Sequence, residues 1–176
     1  CYCKHEKDLL GESCKMTDER DHCLYFGRFA EFLIDHDFAR PISKEQTLEI
    51  LKESEHAGLV HKTFHDRLNP KKDELAICSC CKCCCGIFDL HYRGVIPIHS
   101  LTSYRSEIDE ENCIGCGTCV DKCPTEAIEL AEDIARVSLE RCIGCGVCTT
   151  SCPEDAVSLK RTGPRRVYIP PPKLHI

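Results

Sequence analysis

Eight cysteines between residues 113 and 152 stand at spacings that can do redox chemistry. Residues 113–124 read CIGCGTCVDKCP and residues 142–153 read CIGCGVCTTSCP. Both are C-x2-C-x2-C-x3-C-P, and they begin 29 residues apart. Three thiolates so close in sequence wrap a tight loop around one four-iron cubane and reach three of its irons. The fourth cysteine, followed by proline, points away from its own loop and serves the other cluster. The first set is thus Cys113, Cys116, Cys119 and Cys152, and the second is Cys142, Cys145, Cys148 and Cys123. Gly115, Gly117, Gly144 and Gly146 let the backbone turn closely and aim N–H groups at the cluster. Pro124 and Pro153 turn the chain out after the last ligand. Zinc sites use pairs of cysteines rather than three in close succession before C-P.

The repeat extends beyond the ligands: ENCIGCGTCVDKCPTEAIEL aligns with ERCIGCGVCTTSCPEDAVSL, an internal duplication. On these two motifs, residues 106–162 resemble the bacterial dicluster 2×(4Fe-4S) ferredoxin family. The resemblance implies an α+β domain with pseudo-twofold symmetry, and short strands near 106–109, 127–131, 134–139 and 156–160. It also implies one-electron transfer at low potential through two 4Fe-4S clusters.

Ten further cysteines precede this domain. Cys1, Cys3, Cys14 and Cys23 offer a candidate third site. Cys78, Cys80, Cys81, Cys83, Cys84 and Cys85, in the run CSCCKCCCG, offer a subset for a fourth. Adjacent side chains diverge, so not all six can face one metal, and part of the run can instead join Cys1 and Cys3. One or two more iron–sulfur clusters, a zinc site, or disulfides and reactive thiols are the three readings of these groups. A cysteine-rich stretch of this kind resembles modules that precede dicluster ferredoxin domains in multi-cluster iron–sulfur proteins of anaerobes. His5 and His22 lie beside cysteines and are weaker candidates. His61 and His65 are four apart, without the glutamate of a zinc protease motif.

The elements that must position these thiols are fewer. Tyr25, Phe29, Phe32, Leu33 and His36 fall on one helical face, and Pro41 ends that segment. Ser43 with Gln46 has capping-box spacing for a second helix carrying Leu48, Leu51 and Ala57, and Gly58 fits its end. LVHKTFH reads as a short strand or extended segment, and Asn69-Pro70 as a turn. The expectation is a small helical module over residues 1–105, with little core of its own and metal supplying folding energy. The dicluster domain follows over 106–162, and then an extended basic, proline-rich tail over 163–176.

The 176 residues carry a formal charge of −6, which argues against nucleic acid as the main partner. Residues 106–133 hold nine acids against Lys122 alone, while 160–173 hold five bases and no acid. Such an acidic face can guide docking to a basic partner, or simply be solvated. No apolar run reaches the roughly 20 residues of a membrane helix, and no secretory signal is evident, so a cytoplasmic location is expected. A first residue of cysteine rather than methionine reads as the start of a fragment inside a longer protein; a subunit of a larger complex is the other expectation. No phosphate-binding glycine loop or nucleophile elbow is present.

The expected function is electron transfer to or from a redox enzyme or another electron-transfer protein. Two alternatives stand beside it. One is an oxidoreductase subunit with a catalytic or unusual cluster at Cys78–Cys85. The other is a redox sensor acting through an upstream domain.

Overall fold

A computed structural model describes residues 1–65, 74–93 and 103–163. The Asn69-Pro70 turn and nearly all of the basic tail lie outside the described residues. The chain is mixed α and β, and no helix among the described residues is long and apolar enough to cross a membrane.

The dicluster part is built from two small antiparallel sheets and two short helices. Strand β4 (Tyr104–Ile108) pairs with β7 (Val157–Arg161), so the residues before the first motif meet those after the second. Between the motifs, β5 (Ile128–Ala131) pairs with β6 (Ile134–Val137). Helices α5 (Thr118–Lys122) and α6 (Val147–Thr150) each begin after a glycine in the left-handed region, Gly117 at φ 78° and Gly146 at φ 82°. Both motifs therefore make the same backbone reversal, which a side-chain-bearing residue adopts only with strain. Cys119, Cys123, Cys142 and Cys148 are themselves core, packed with Ala127, Ile128, Ala135 and Val157.

The N-terminal part holds a sheet that the expected helical module lacks. Strands β1 (Cys23–Tyr25), β2 (Val60–His65) and β3 (Glu74–Cys80) form an antiparallel sheet in the order β1-β3-β2. Four helices accompany it: α1 (Tyr2–Leu9), α2 (Gly27–Asp35), α3 (Lys44–His56) and α4 (Gly86–Tyr92). The first half of CSCCKCCCG completes the central strand. Cysteines carry little periodic signal, and β3 is recognisable only through its pairing with strands far away in sequence.

Local signals for the helices fare better. Ser43 caps α3, accepting from the Gln46 N–H while the Gln46 side chain accepts from the Ser43 N–H. Gly58 follows at φ 73°. Helix α2 is shorter than its apolar pattern, because Tyr25 belongs to β1 and meets Phe29 edge-on at 5.5 Å. Phe29 and Phe32 are exposed rather than core.

Several contacts among the described residues fasten the two parts together. The Lys82 ammonium donates to the Asp121 carbonyl at 2.6 Å. The Tyr92 hydroxyl donates to the Pro124 carbonyl. Val60, Cys80, Cys85 and Phe88 pack with Val147, beside Ile143 and Cys145.

Beneath the sheet, His22 Nδ1 lies 2.8 Å from Ser54 Oγ, which itself donates to the Ile50 carbonyl at 2.6 Å. Ser54 therefore accepts from an Nδ1–H, and the ring is neutral. Burial holds His22 down to about 4 from its ordinary 6.5. Below about pH 6.5 the unfolded chain takes up a proton here that the folded chain refuses, so this group removes stability as pH falls from 6.5 toward 4. Ser54→Ala is expected to cost about 1–3 kcal/mol by leaving the ring N–H unpaired. His22→Gln, which cannot titrate, should lose less stability than wild type over that pH window. Anaerobic denaturant titrations at pH 7 and pH 5 check both; equal pH dependence in His22→Gln and wild type would contradict the account.

Candidate metal centres

Two recesses lie in the dicluster part. The first encloses about 350 Å³ of space, counting the part open to solvent, and Cys113, Cys116, Cys119 and Cys152 stand around it. The second encloses about 280 Å³ on the same measure, among Cys123, Cys142, Cys145 and Cys148. Each recess draws three cysteines from one motif and one from the other, because β4–β7 and β5–β6 fold the motifs over each other. The helix after each loop carries the C-P cysteine across to the opposite recess.

The walls suit an iron–sulfur group. They are apolar apart from sulfur and a few donors, and all 18 cysteines are free thiols. Backbone N–H groups point at sulfur: Ala127 N–H at Cys123 Sγ, 3.2 Å, and Ala135 N–H at Cys113 Sγ, 3.5 Å. Such donors stabilise thiolates and set the potential of a group they hold. Ser106 adds a hydroxyl in the second recess, 3.0 Å from Cys148 Sγ. Gly115 shows how closely the first loop is packed. A Cβ there would come within 2.2 Å of the Asp133 carbonyl oxygen.

The recesses differ in exposure. Cys116 is exposed and near Thr118 Oγ1 (3.4 Å), which holds its thiol below the usual range. Burial raises Cys119. In the second recess burial pushes Cys145 up to about 11 and also raises Cys148. Exposed acids rim the first recess: Glu154 lines it, Asp133 abuts it, and Asp109 caps the turn that leads to Asn112. Around the second recess Cys123, Cys142 and Cys148 are buried, and Cys145 packs beside Cys80, Cys85 and Phe88 of the N-terminal part.

Of the N-terminal cysteines, Cys14 meets the second half of the run. Its Sγ lies 3.7 Å from Cys81 Sγ and 3.8 Å from Cys83 Sγ, and Cys83 and Cys84 Sγ are 3.7 Å apart. Cys23 instead faces Cys78 across β1 and β3. Cys1 begins α1, its ammonium donating to the Arg20 carbonyl at 2.7 Å. The structure thus separates Cys14 from Cys23, and the run from itself.

Strand alternation explains the split. Cys78 and Cys80 lie on one face of β3, with Cys23, Lys62 and Val60 opposite them in register. After Cys80 the chain leaves the strand in a turn closed by Cys85 N–H donating to the Cys81 carbonyl at 3.2 Å. Within this turn Cys81, Cys83 and Cys84 face Cys14, while Cys80 and Cys85 face the sheet's thiol side and Val147.

Lys62 and Lys4 are functional neighbours that sequence reasoning missed. Lys62 Nζ stands 4.0 Å over the Phe88 ring, near Cys80 and Cys85, and burial lowers it. Lys4 is buried beside Cys14, Cys81 and Cys84, donating to the Glu19 carbonyl at 3.2 Å. Nothing local marks either lysine; each is significant only through its partners in space. Cys85 is drawn down to about 6, first by the Cys80 thiol, while Cys80 is raised. Of the two histidine candidates, His22 is engaged with Ser54, and His5 is exposed.

The comparisons accord with this geometry. Residues 106–159 match the family model of the 4Fe-4S dicluster domain. NADH-quinone oxidoreductase subunit I of Pelobacter propionicus is 32% identical over 66 residues, covering 35% of this chain and 36% of that protein. NAD(P)H-quinone oxidoreductase subunit I of Gloeobacter violaceus is 27% identical over 120 residues, 66% of this chain and 53% of that one. Ferredoxin-2 of Desulfomicrobium norvegicum is 56% identical over 27 residues, 15% of this chain and 46% of that one. The matches span between about a third and about a half of these relatives' lengths.

Gly115→Ala is expected to displace the Asp133 carbonyl and cost the first recess its metal, about four irons per chain. Gly86→Ala, where an added Cβ meets nothing within 4 Å, should leave iron unchanged. Iron and sulfide analysis of the two anaerobically purified variants checks this; full iron in Gly115→Ala would show that the loop tolerates the shift.

A recess ringed by cysteines from both motifs, N–H donors aimed at sulfur, and the matched model together identify residues 106–159 as a 4Fe-4S dicluster domain.

Proposed function

We propose that the chain is an electron-transfer protein or subunit that accepts and passes single electrons between a redox enzyme and a partner docked at the exposed recess. The observation that carries this reading is the asymmetry of the thiols around the two recesses: the first includes the exposed Cys116 and is rimmed by acids, whereas three of the second's four are buried and the fourth, Cys145, lies beside the N-terminal Cys80 and Cys85. Cys113, Cys116, Cys119 and Cys152 hold the first 4Fe-4S cluster, and Cys142, Cys145, Cys148 and Cys123 hold the second. The clusters supply one-electron redox chemistry. The proposed division of the chain is 1–105, 106–162 and 163–176, with pseudo-twofold symmetry in the middle part.

The residues around each recess divide the work. Ala127, Ala135 and Ser106 direct hydrogen-bond donors at sulfur and so set potential. Ile128, Val157 and Ala135 keep water from the core between the recesses. Glu154 and its acidic neighbours attract a basic partner to the side where Cys116 is exposed. On the other side, Cys80 and Cys85 stand against Val147 and beside Cys145. With Cys23, Cys78 and nearby Cys3, these thiols are the proposed seat of a further iron–sulfur group in line with the second cluster. The relatives named as oxidoreductase subunits support a role inside a larger complex, and the free thiols support a reducing, anaerobic, cytoplasmic setting.

Stopped-flow oxidation of the dithionite-reduced protein tests the docking side. A cationic one-electron acceptor should react faster than an anionic one of similar potential, and its rate should fall steeply with salt. Reversing the charge of Glu154 and Asp109 to lysine should lower the cationic rate several-fold and leave the reduced EPR spectrum unchanged. Rates indifferent to salt and to these variants would place the docking side elsewhere.

A further inference from the structure

The four sulfurs of Cys14, Cys81, Cys83 and Cys84 all lie within 4.8 Å of one another. Among the described residues they form the one group of three or more such side chains drawn together this tightly. The cysteines around the two recesses are spaced more widely. That contrast is one of coordination geometry. Four sulfurs about 2.3 Å from one tetrahedral ion stand about 3.8 Å from each other. In a cubane each thiolate caps a different iron, so four irons and their sulfides hold the thiolates much further apart. Three spacings in the group are 3.7, 3.8 and 3.7 Å.

We propose that Cys14, Cys81, Cys83 and Cys84 bind a single tetrahedral thiophilic ion, zinc or one iron, and not a cubane. Cys14, Cys81 and Cys84 are buried and Cys83 is half-buried, and four thiolates would complete a tetrahedral shell. The surroundings fit the charge of four thiolates around a divalent ion. The Lys15 N–H donates to Cys83 Sγ at 3.4 Å. The Lys4 side chain, 1% exposed, lies on α1 beside the group and supplies the positive charge. The ion ties the loop carrying Cys14 to the turn after β3, across 67 residues of sequence. That turn also holds Cys85 and presents Lys82 to Asp121. The site therefore ties the N-terminal part together beside the dicluster domain, and with zinc bound it would carry no electrons. It stands independently of the electron-transfer reading, since it would hold whatever the dicluster domain reduces.

The experiment is zinc and iron analysis of the full chain, purified without oxygen, for wild type, Cys14→Ser and Cys83→Ser, with Cys116→Ser for comparison. The expected result is loss of about one metal atom per chain in the first two variants, with the EPR signals of the reduced dicluster domain retained. Cys116→Ser should instead lose about four irons and keep the single ion. Whether the atom lost is zinc or iron identifies the ion. Should the Cys14 variant not fold, X-ray absorption of wild type at the zinc edge is expected to show four sulfurs at about 2.3 Å, and where no zinc is present a Mössbauer spectrum is expected to show one mononuclear high-spin iron beside the cluster irons. If the expected atom is zinc, its edge is free of interference from the clusters. Loss of about four irons in Cys14→Ser, no metal loss, or a zinc shell with fewer than four sulfurs would each overturn the proposal.

Discussion

Thiolates cannot be gathered in a protein interior unless positive charge is placed among them. Each one buried alone is raised toward its neutral form, as the thiols of Cys119, Cys145 and Cys148 are. Gathered in fours they repel each other as well. This chain answers with metal, with backbone N–H groups aimed at sulfur, and with two lysines, Lys4 buried and Lys62 half-buried. The buried apolar residues around these groups include Ala127, Ile128, Ala135 and Val157 in one part and Leu59, Val60 and Phe88 in the other, with the cysteines themselves filling much of the space between.

The arrangement of the two parts follows from the same constraint. A strand end and a turn are economical ways to present many cysteines, because alternation and reversal send neighbours to different sides. Cys80 and Cys81 are adjacent, yet one belongs to the sheet's thiol face and the other to the Cys14 group. The run CSCCKCCCG is thus a divider between two groups of thiols, with Lys82 at its apex fastened to the dicluster domain.

How much of this the sequence discloses depends on the range of the interactions. The two motifs lie within short stretches whose ligands, glycines and prolines are all local, and the strands around them fall within about two residues of where the family resemblance puts them. The cap of α3 is legible for the same reason: Ser43 and Gln46 are three residues apart. The N-terminal sheet is not legible, since β3 pairs Cys78 with Cys23 and with Lys62, and no local pattern announces either partner. The pairing of Cys14 with Cys81, Cys83 and Cys84 depends on that register. Grouping cysteines by nearness in sequence keeps Cys14 with Cys1, Cys3 and Cys23, whereas the fold sorts them by strand face. Lys4 and Lys62 are hidden for a related reason: a lysine in a polar segment reads as solvent-facing until its neighbours are known.

The exposure of Cys116 has a cost as well as a use. An opening wide enough for an acceptor to approach the sulfur is wide enough for dioxygen and peroxide, which attack accessible thiolates first. The second recess offers less, since Cys123, Cys142 and Cys148 are buried. Oxidation by air is therefore expected to begin at Cys116. With docking on that side as proposed, a bound partner would also be a shield.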